Sequence, residues 1–154
     1  MITIRLATAS DSKNLFDWRN DERTRAVSGS QEEVAWVEHE AWFARALADS
    51  DRSIYLAESV FDDGIVDVGM CRFDYDPSTG RSEVSINLNP AVRGRGLAAT
   101  VLASAIERYR AEHRAAGIIT ATIRSVNVAS IRLFAGAGFV RVSADSDFER
   151  YELA

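Results

Sequence analysis

The sequence predicts an α+β domain, grading into α/β in its second half, with a mostly antiparallel sheet and at least one parallel strand pair. Three observations carry this. Strand-like runs before residue 89 are joined by hairpin turn signals. A glycine-rich turn then leads from a strand into a long amphipathic segment and on to another strand, which is a β-α-β crossover. The chain closes on two further alternating runs that read as a hairpin. The order is β-α-α-β-β-β-α-β-α-β-β, about seven strands flanked by about four helices.

Each element has a local reason. Residues 2–6 alternate and read as a strand, and Thr8 and Ser10 offer caps for a helix through about Asn20. Ser30 with Glu33 makes a capping box for a second helix to about Ala48, with Val34, Val37, Ala41 and Ala44 as its apolar stripe. Ser53–Val60 and Ile65–Asp74 read as strands around the turn Asp62-Asp63-Gly64. A second turn, Asp76 to Gly80, leads to a strand over Arg81–Leu88. The helix from about Arg95 to His113 points Leu97, Val101, Ala105 and Tyr109 inward, with Leu102 and Ile106 beside them, and Gly117 ends the segment. Ile118–Arg124 is a strand and Asn127–Ala135 a short helix. Phe139–Ser143 and Phe148–Leu153 form the closing hairpin.

Length and composition narrow the possibilities. A chain of 154 residues, with 47% hydrophobic and 27% charged residues, is expected to be one globular domain over residues 1–154. A net charge of −5 argues against nonspecific nucleic-acid binding. One cysteine, Cys71, excludes an internal disulfide and reads as a small buried strand residue. Two histidines leave no room for a zinc cluster, so no metal is expected. The chain opens as a strand and holds no apolar run of membrane-spanning length, so a cytoplasmic location with no membrane partner is expected.

The stretch Asn89-Pro90-Ala91-Val92-Arg93-Gly94-Arg95-Gly96-Leu97-Ala98-Ala99-Thr100 is the most informative. Glycines let a backbone approach an anion, and the helix start behind them offers unpaired N–H donors at a positive dipole end. Arg93 and Arg95 add charge and are available for phosphate or for solvent. A pyrophosphate site, and so a nucleotide-like cofactor, is the reading. The turn lacks the P-loop spacing. Gly94-x-Gly96-x-x-Ala99 leaves a dinucleotide turn formally open, but such a turn should follow the first strand of a βαβ unit.

The same string fits Arg-x-x-Gly-x-Gly/Ala through Arg93, Gly96 and Ala98. Downstream, Asn127-Val-Ala-Ser130-Ile-Arg-Leu133-Phe134-Ala-Gly-Ala-Gly138-Phe139 fits Asn-x-x-Ser-x-x-Leu-Tyr-x-x-x-Gly-Phe, and Ile4-Arg5-x-Ala7-Thr8-x-x-Asp11 fits a first strand and helix start. In these three places the chain resembles the GNAT superfamily of acetyl-CoA-dependent N-acetyltransferases. The resemblance implies the GNAT fold, with a sheet splayed between its fourth and fifth strands, and acetyl-CoA as co-substrate. It implies direct attack of a neutral primary amine on acetyl-CoA in a ternary complex.

It also implies site residues. Backbone groups of Gly94, Arg95, Gly96, Leu97 and Ala98 would face the pyrophosphate, with Ala99 completing the first helical turn. Ile86, Asn87 and Leu88 would pair with the pantetheine amides, and an N–H near Asn87 or Leu88, at a plausible bulge, would stabilise the oxyanion. Asn127 is either an ordinary N-cap or also a cofactor contact, and Ser130 one turn on shares that reading. Phe134 stands where the family often has a proton-donating tyrosine, and phenylalanine cannot donate. Glu83 is a candidate base or a solvated carboxylate, and His39 is a structural residue, a substrate contact or a base.

Trp18, Arg19 and Asn20 with His39 and Trp42 resemble the acceptor wall of two branches, one acetylating amino groups of nucleotide-linked sugars and one the N-termini of ribosomal proteins. The Trp-Arg-Asn plus His-x-x-Trp-Phe pairing is closer to the first, and the aromatic residues are equally available as core. The expected partners are a small-molecule amine acceptor and possibly a second copy of the chain. A noncatalytic acyl-CoA-binding domain is the remaining alternative.

Overall fold

A computed structural model describes residues 1–114 and 117–154. The strands are β1 (Ile2–Leu6), β2 (Arg52–Phe61), β3 (Gly64–Asp76), β4 (Arg81–Leu88), β5 (Ile119–Arg124), β6 (Val140–Ala144) and β7 (Phe148–Leu153). They form one sheet in the order β1-β2-β3-β4-β5-β7-β6. Every neighbouring pair is antiparallel except β4 and β5. The α-helices are α1 (Ser12–Asn20), α2 (Glu22–Val27), α3 (Trp36–Ala48), α4 (Ala98–Glu112) and α5 (Val128–Gly136), with 3-10 turns at Ala9–Asp11 and Pro90–Val92.

The two faces of the sheet carry separate cores. On one, Tyr55, Cys71, Phe73, Val84 and Ala121 pack under Val101, Leu102 and Tyr109 of α4. Phe73 and Tyr109 stack with centroids 4.1 Å apart, and the buried Tyr109 hydroxyl lies 2.7 Å from Ser82 Oγ. On the other, Ile54, Leu56 and Met70 meet Leu15, Trp18, Phe43 and Ala46 of α1 and α3. Central strand β2 is therefore buried on both faces over residues 53–57. Cys71 is buried as expected, and burial pushes its thiol pKa up.

The splay implied by the resemblance is present. β4 and β5 pair at only two positions, Ser82↔Ile119 and Glu83↔Thr120, and then diverge. No bulge interrupts β4, contrary to expectation: its register against β3 is continuous from Gly69↔Leu88 to Asp76↔Arg81. The sheet's irregularities lie elsewhere: between Ala57 and Glu58 of β2, where Val68 of β3 is the extra residue, and between Arg141 and Ser143 of β6.

Two helix readings need correction. The Ser30–Glu33 box starts no helix, because α3 begins at Trp36. The Asn20 side chain takes both backbone groups of Val34 at 2.8 Å, and so removes the N–H and carbonyl that a helix would need there. The stripe Val34, Val37, Ala41 and Ala44 is also out of phase: Val37 is 76% exposed, whereas His39, Phe43 and Ala46 face inward. Burying rings removes more apolar area from water than burying valine and alanine. Helix α2 is an addition, so the described residues form five α-helices where about four were expected. Asp21 caps it, accepting from the Thr24 amide at 3.0 Å.

Candidate active site

Divergence of β4 from β5 turns backbone outward into a cleft. The Ser82 amide donates toward β5, to Ile118 O at 3.1 Å, and the Asn89 amide donates toward β3, to Val68 O at 2.9 Å. Backbone direction alternates along a strand, so the N–H and C=O groups of Val84, Ile86 and Leu88 face β5; the Glu83↔Thr120 bridge takes up the Val84 N–H, and beyond it no strand meets Ile86 and Leu88. Of the two amides named for the oxyanion, that of Asn87 belongs to the β3 ladder and that of Leu88 faces the cleft. What Asn87 brings to the site is its side chain.

A cavity of about 670 Å³ fills the cleft, with Glu83, Ile86, Asn87 and Leu88 on the β4 side and Thr122 and Arg124 on the β5 side. Asn127, Ser130 and Phe134 of the α5 region close one end, and Thr24, Val27 and Gly29 of the α2 region the other. Asn127 is an N-cap, accepting from the Ser130 amide at 3.1 Å, and lines the cavity as well. Phe134 is buried, edge-to-face with Phe139 at 5.0 Å. Among the described residues no tyrosine lines the cavity, and the hydroxyls there include Ser85, Thr122 and Ser130.

The glycine turn lies at the C-terminal end of β4. Gly94 and Gly96 take φ values of 77° and 69°, a region that side chains rarely adopt, and a Cβ built on either meets nothing within 4 Å. The open space belongs to whatever approaches the backbone. Behind it α4 starts at Ala98 with no side-chain cap on Leu97, which leaves the first-turn amides of Ala98, Ala99 and Thr100 as donors.

The two arginines of the turn are engaged elsewhere. Arg93 reaches into the α2 region, pairing with Asp21 and donating to Thr24 Oγ1 at 2.8 Å. This holds the Asp21 carboxyl below its usual range. Arg93 still lines the cavity, but its guanidinium is a strut between turn and helix. Arg95 lies over the Phe61 ring at 5.1 Å, away from the role expected of it.

The chemistry of the walls suits a phosphate-bearing ligand. Arg19, Arg23, Arg72, Arg93 and Arg124 line the cavity against one carboxylate, Glu83. Arg124 Nε is buried without a hydrogen-bond partner. Acetyl-CoA therefore fits: an anion for the arginines and turn amides, and an amide-bearing arm for the free edge of β4. Glu83 stands at the last paired position before the cleft opens, and accepts from Thr122 Oγ1 at 3.3 Å.

A second cavity, of about 470 Å³, adjoins the first and shares Arg19, Met70, Arg72 and Asn87 with it. Trp18, His39 and Trp42 line it, as the sequence led one to expect. Asn20 is the exception, because its amide is spent on Val34. His39 is buried among Phe16, Trp36, Trp42 and Phe43, with Nε2 2.9 Å from Ser12 O. A carbonyl only accepts, so Nε2 carries the proton and Nδ1 is the one basic position. Burial holds its pKa below the usual 6.5, so His39 is neutral near pH 7 and a weak base.

Arg72, Thr122 and Arg124 were not singled out from sequence. The signal was present: Met70, Arg72 and Asp74 alternate with Cys71 and Phe73, and Thr122 and Arg124 with Ala121 and Ile123, the alternation that sets them on the face opposite the α4-side core. Among the described residues, no cluster of His, Cys, Asp or Glu is placed to hold a metal ion, and no helix is long and apolar enough to cross a membrane.

The model of the acetyltransferase (GNAT) domain matches residues 1–140. The chain belongs to that family. Solved structures agree on the fold of this GNAT domain. A domain from Methanocaldococcus jannaschii superposes with a TM-score of 0.84 at 21% identity, covering 99% of this chain and 97% of that one. A spermidine N-acetyltransferase from Vibrio cholerae, solved with CoA and spermine, gives 0.84 at 16%, covering 99% and 94%. The putative acetyltransferase yncA from Salmonella typhimurium, solved with acetyl-CoA, gives 0.75 at 24%, covering 99% and 93%. No curated protein sequence matches the chain. The GNAT resemblance and the acetyl-CoA-dependent transferase expected from it are thus borne out by family membership.

Proposed function

We propose that this GNAT domain transfers an acetyl group from acetyl-CoA to the primary amine of a small metabolite, an amino-sugar or a nucleotide-linked amino-sugar in the first instance. The observation that carries it is the cleft itself: β4 leaves Ile86 and Leu88 unpaired along a cavity that reaches Arg93 and Ala98, the two sides of an open glycine turn. Acetyl-CoA, when bound, supplies the acetyl thioester. The chain's residues do the rest. Turn amides hold phosphate, the edge of β4 aligns the pantetheine arm, and the Leu88 N–H is oriented for developing oxyanion charge. Glu83 takes the proton that makes the acceptor amine neutral. Trp18, Arg19 and Trp42 hold the acceptor's body.

Acceptors named for related structures, spermidine among them, show what amines this fold serves and do not transfer directly. Protein N-termini are the second reading, favoured only by the Trp18-Arg19-Asn20 resemblance. A cytoplasmic location and a homodimer belong to the same proposal, to be checked by fractionation and light scattering. The deciding experiment is a calorimetric titration with acetyl-CoA, with desulfo-CoA and ATP as comparisons. Saturable binding of acetyl-CoA, much tighter than ATP, is expected, followed by acetyl transfer to an amino-sugar. Binding without transfer to any amine means an acyl-CoA-binding domain. No binding overturns the assignment of the turn.

A further inference from the structure

The second cavity has the wrong charge for a cationic acceptor. Its charged walls are Arg19, Arg45 and Arg72 against a single carboxylate, Glu38, and its one histidine is buried and neutral. Arg19 and Arg72 also line the cofactor cleft beside Asn87, so both stand where the two compartments meet. Arg72 is partly satisfied: Nε donates to Asp74 Oδ2 at 3.0 Å, and its guanidinium lies over the Trp42 ring at 5.2 Å. Arg19 Nε is buried with no hydrogen-bond partner at all. Burial, and then the nearby charge of Arg72, lower the Arg19 pKa. A buried N–H without an acceptor costs free energy, and two guanidiniums facing one space repel. An anion placed between them relieves both.

We propose that Arg19 and Arg72 form an anion site for the acceptor, which is a primary amine carrying a carboxylate or phosphate on a compact, partly apolar body. The inference rests on the transferase reading and narrows its acceptor. The planar guanidinium fork matches either anion with paired hydrogen bonds. Leu15, Trp18, Met70 and Trp42 supply the apolar wall for the body. An acceptor held by its anion directs its amine across the junction, toward Asn87 and Glu83. A polyamine would instead set its extra ammonium groups against two arginines.

The test uses matched acceptors with acetyl-CoA: phenylalanine against phenylalaninamide, glucosamine 6-phosphate against glucosamine, and spermidine alone. In at least one pair the anionic member is expected to exceed its neutral counterpart by about tenfold to a hundredfold in kcat/KM, chiefly through KM. The carboxylate and phosphate pairs separate the two sources of the anion. Arg19→Gln and, independently, Arg72→Gln should bring the kcat/KM ratio of the anionic to the neutral member close to one; the ratio is taken within each variant, so an effect on cofactor or acceptor common to both members cancels. A binding measurement stands apart from turnover: N-acetylphenylalanine against its amide, and N-acetylglucosamine 6-phosphate against N-acetylglucosamine, titrated by calorimetry. The anionic member of one pair should bind more tightly in the wild type only. Equal use and equal binding within both pairs, or preferred use of spermidine, overturns the anion site. If acetyl-CoA binds in that case, the transferase reading stands. If acetyl-CoA fails to bind, that reading falls, and the product titrations still decide the anion site.

Discussion

The two cavities of this protein are built by opposite means. The cleft between β4 and β5 offers a ligand backbone: the free edge of β4 at Ile86 and Leu88 and, between Arg93 and Ala98 of its wall, the glycine turn that leads into the first turn of α4. The adjoining cavity is walled by side chains, mostly from α1, α3 and β3, and offers a ligand those side chains. Backbone recognition tolerates any sequence that folds correctly and suits a ligand shared by a whole family. Side-chain recognition changes with each residue and suits a ligand peculiar to one member. Arg19, Met70, Arg72 and Asn87, common to both, are where a general device meets a particular one.

Substitutions that separate the two means should differ in size. The largest effect is expected at the turn. Gly96→Asp places a carboxylate in the open space facing the ligand and should weaken acetyl-CoA binding about a hundredfold or more, at a folding cost of only about 1 kcal/mol, since Asp tolerates the left-handed region. Calorimetry and a melting curve check both, and unchanged affinity would break the backbone-cradle half of the comparison. Next is Glu83→Gln, expected to reduce kcat about tenfold to a hundredfold at pH 7 with cofactor affinity intact. The deficit should shrink as pH rises, because the amine then loses its proton unaided; a pH-independent deficit would remove Glu83 as the base.

Smaller still is the strut between the regions. Arg93→Ala and Asp21→Ala should each cost about 1 kcal/mol of stability, and the double variant should cost little more than either alone. Full additivity in denaturant melts would mean the pair carries no coupling. The smallest effect belongs to His39. Burial depresses its folded pKa, so the unfolded chain binds the proton more readily. The stability it confers is complete above about 6.5, the usual value, and is lost as pH falls through the depressed folded value. A melting temperature that falls on acidification in the wild type and less steeply in His39→Gln is expected; parallel slopes would mean that the His39 pKa is the same in the folded and unfolded chain.

What the sequence disclosed follows the same division. The cofactor side was legible because glycine at positive φ, strand alternation and helix start are local properties, written within a few residues of Gly94 and Gly96. All seven strands end within two residues of the boundaries read from alternation and turn signals, and the boundaries of β1, β4 and β7 match. The acceptor side was less legible because its decisive contacts span the chain. Asn20 binds the backbone of Val34, Arg93 binds Asp21, and Arg72 stacks on Trp42. None of these pairs has a periodicity. The six-residue α2 is too short for one, and the stripe assigned to α3 lost to aromatic residues that a count of apolar positions weighs no more than alanine.

The two-position pairing of β4 with β5 also makes the molecule a sheet with a fault line. One half, β1 to β4, is covered by α4; the other, β5-β7-β6, is braced by α5; the helices touch. Hydrogen exchange should see that seam directly. Amides of Ile86 and Leu88, which have no strand partner, should exchange quickly, while those of Ser85 and Asn87, bonded to β3, are slow. A ligand lying along β4 supplies the absent ladder, so loading should slow the two fast amides together and raise the melting temperature with concentration. The enzyme's co-substrate would then serve, for the length of its stay, as one more strand of the sheet.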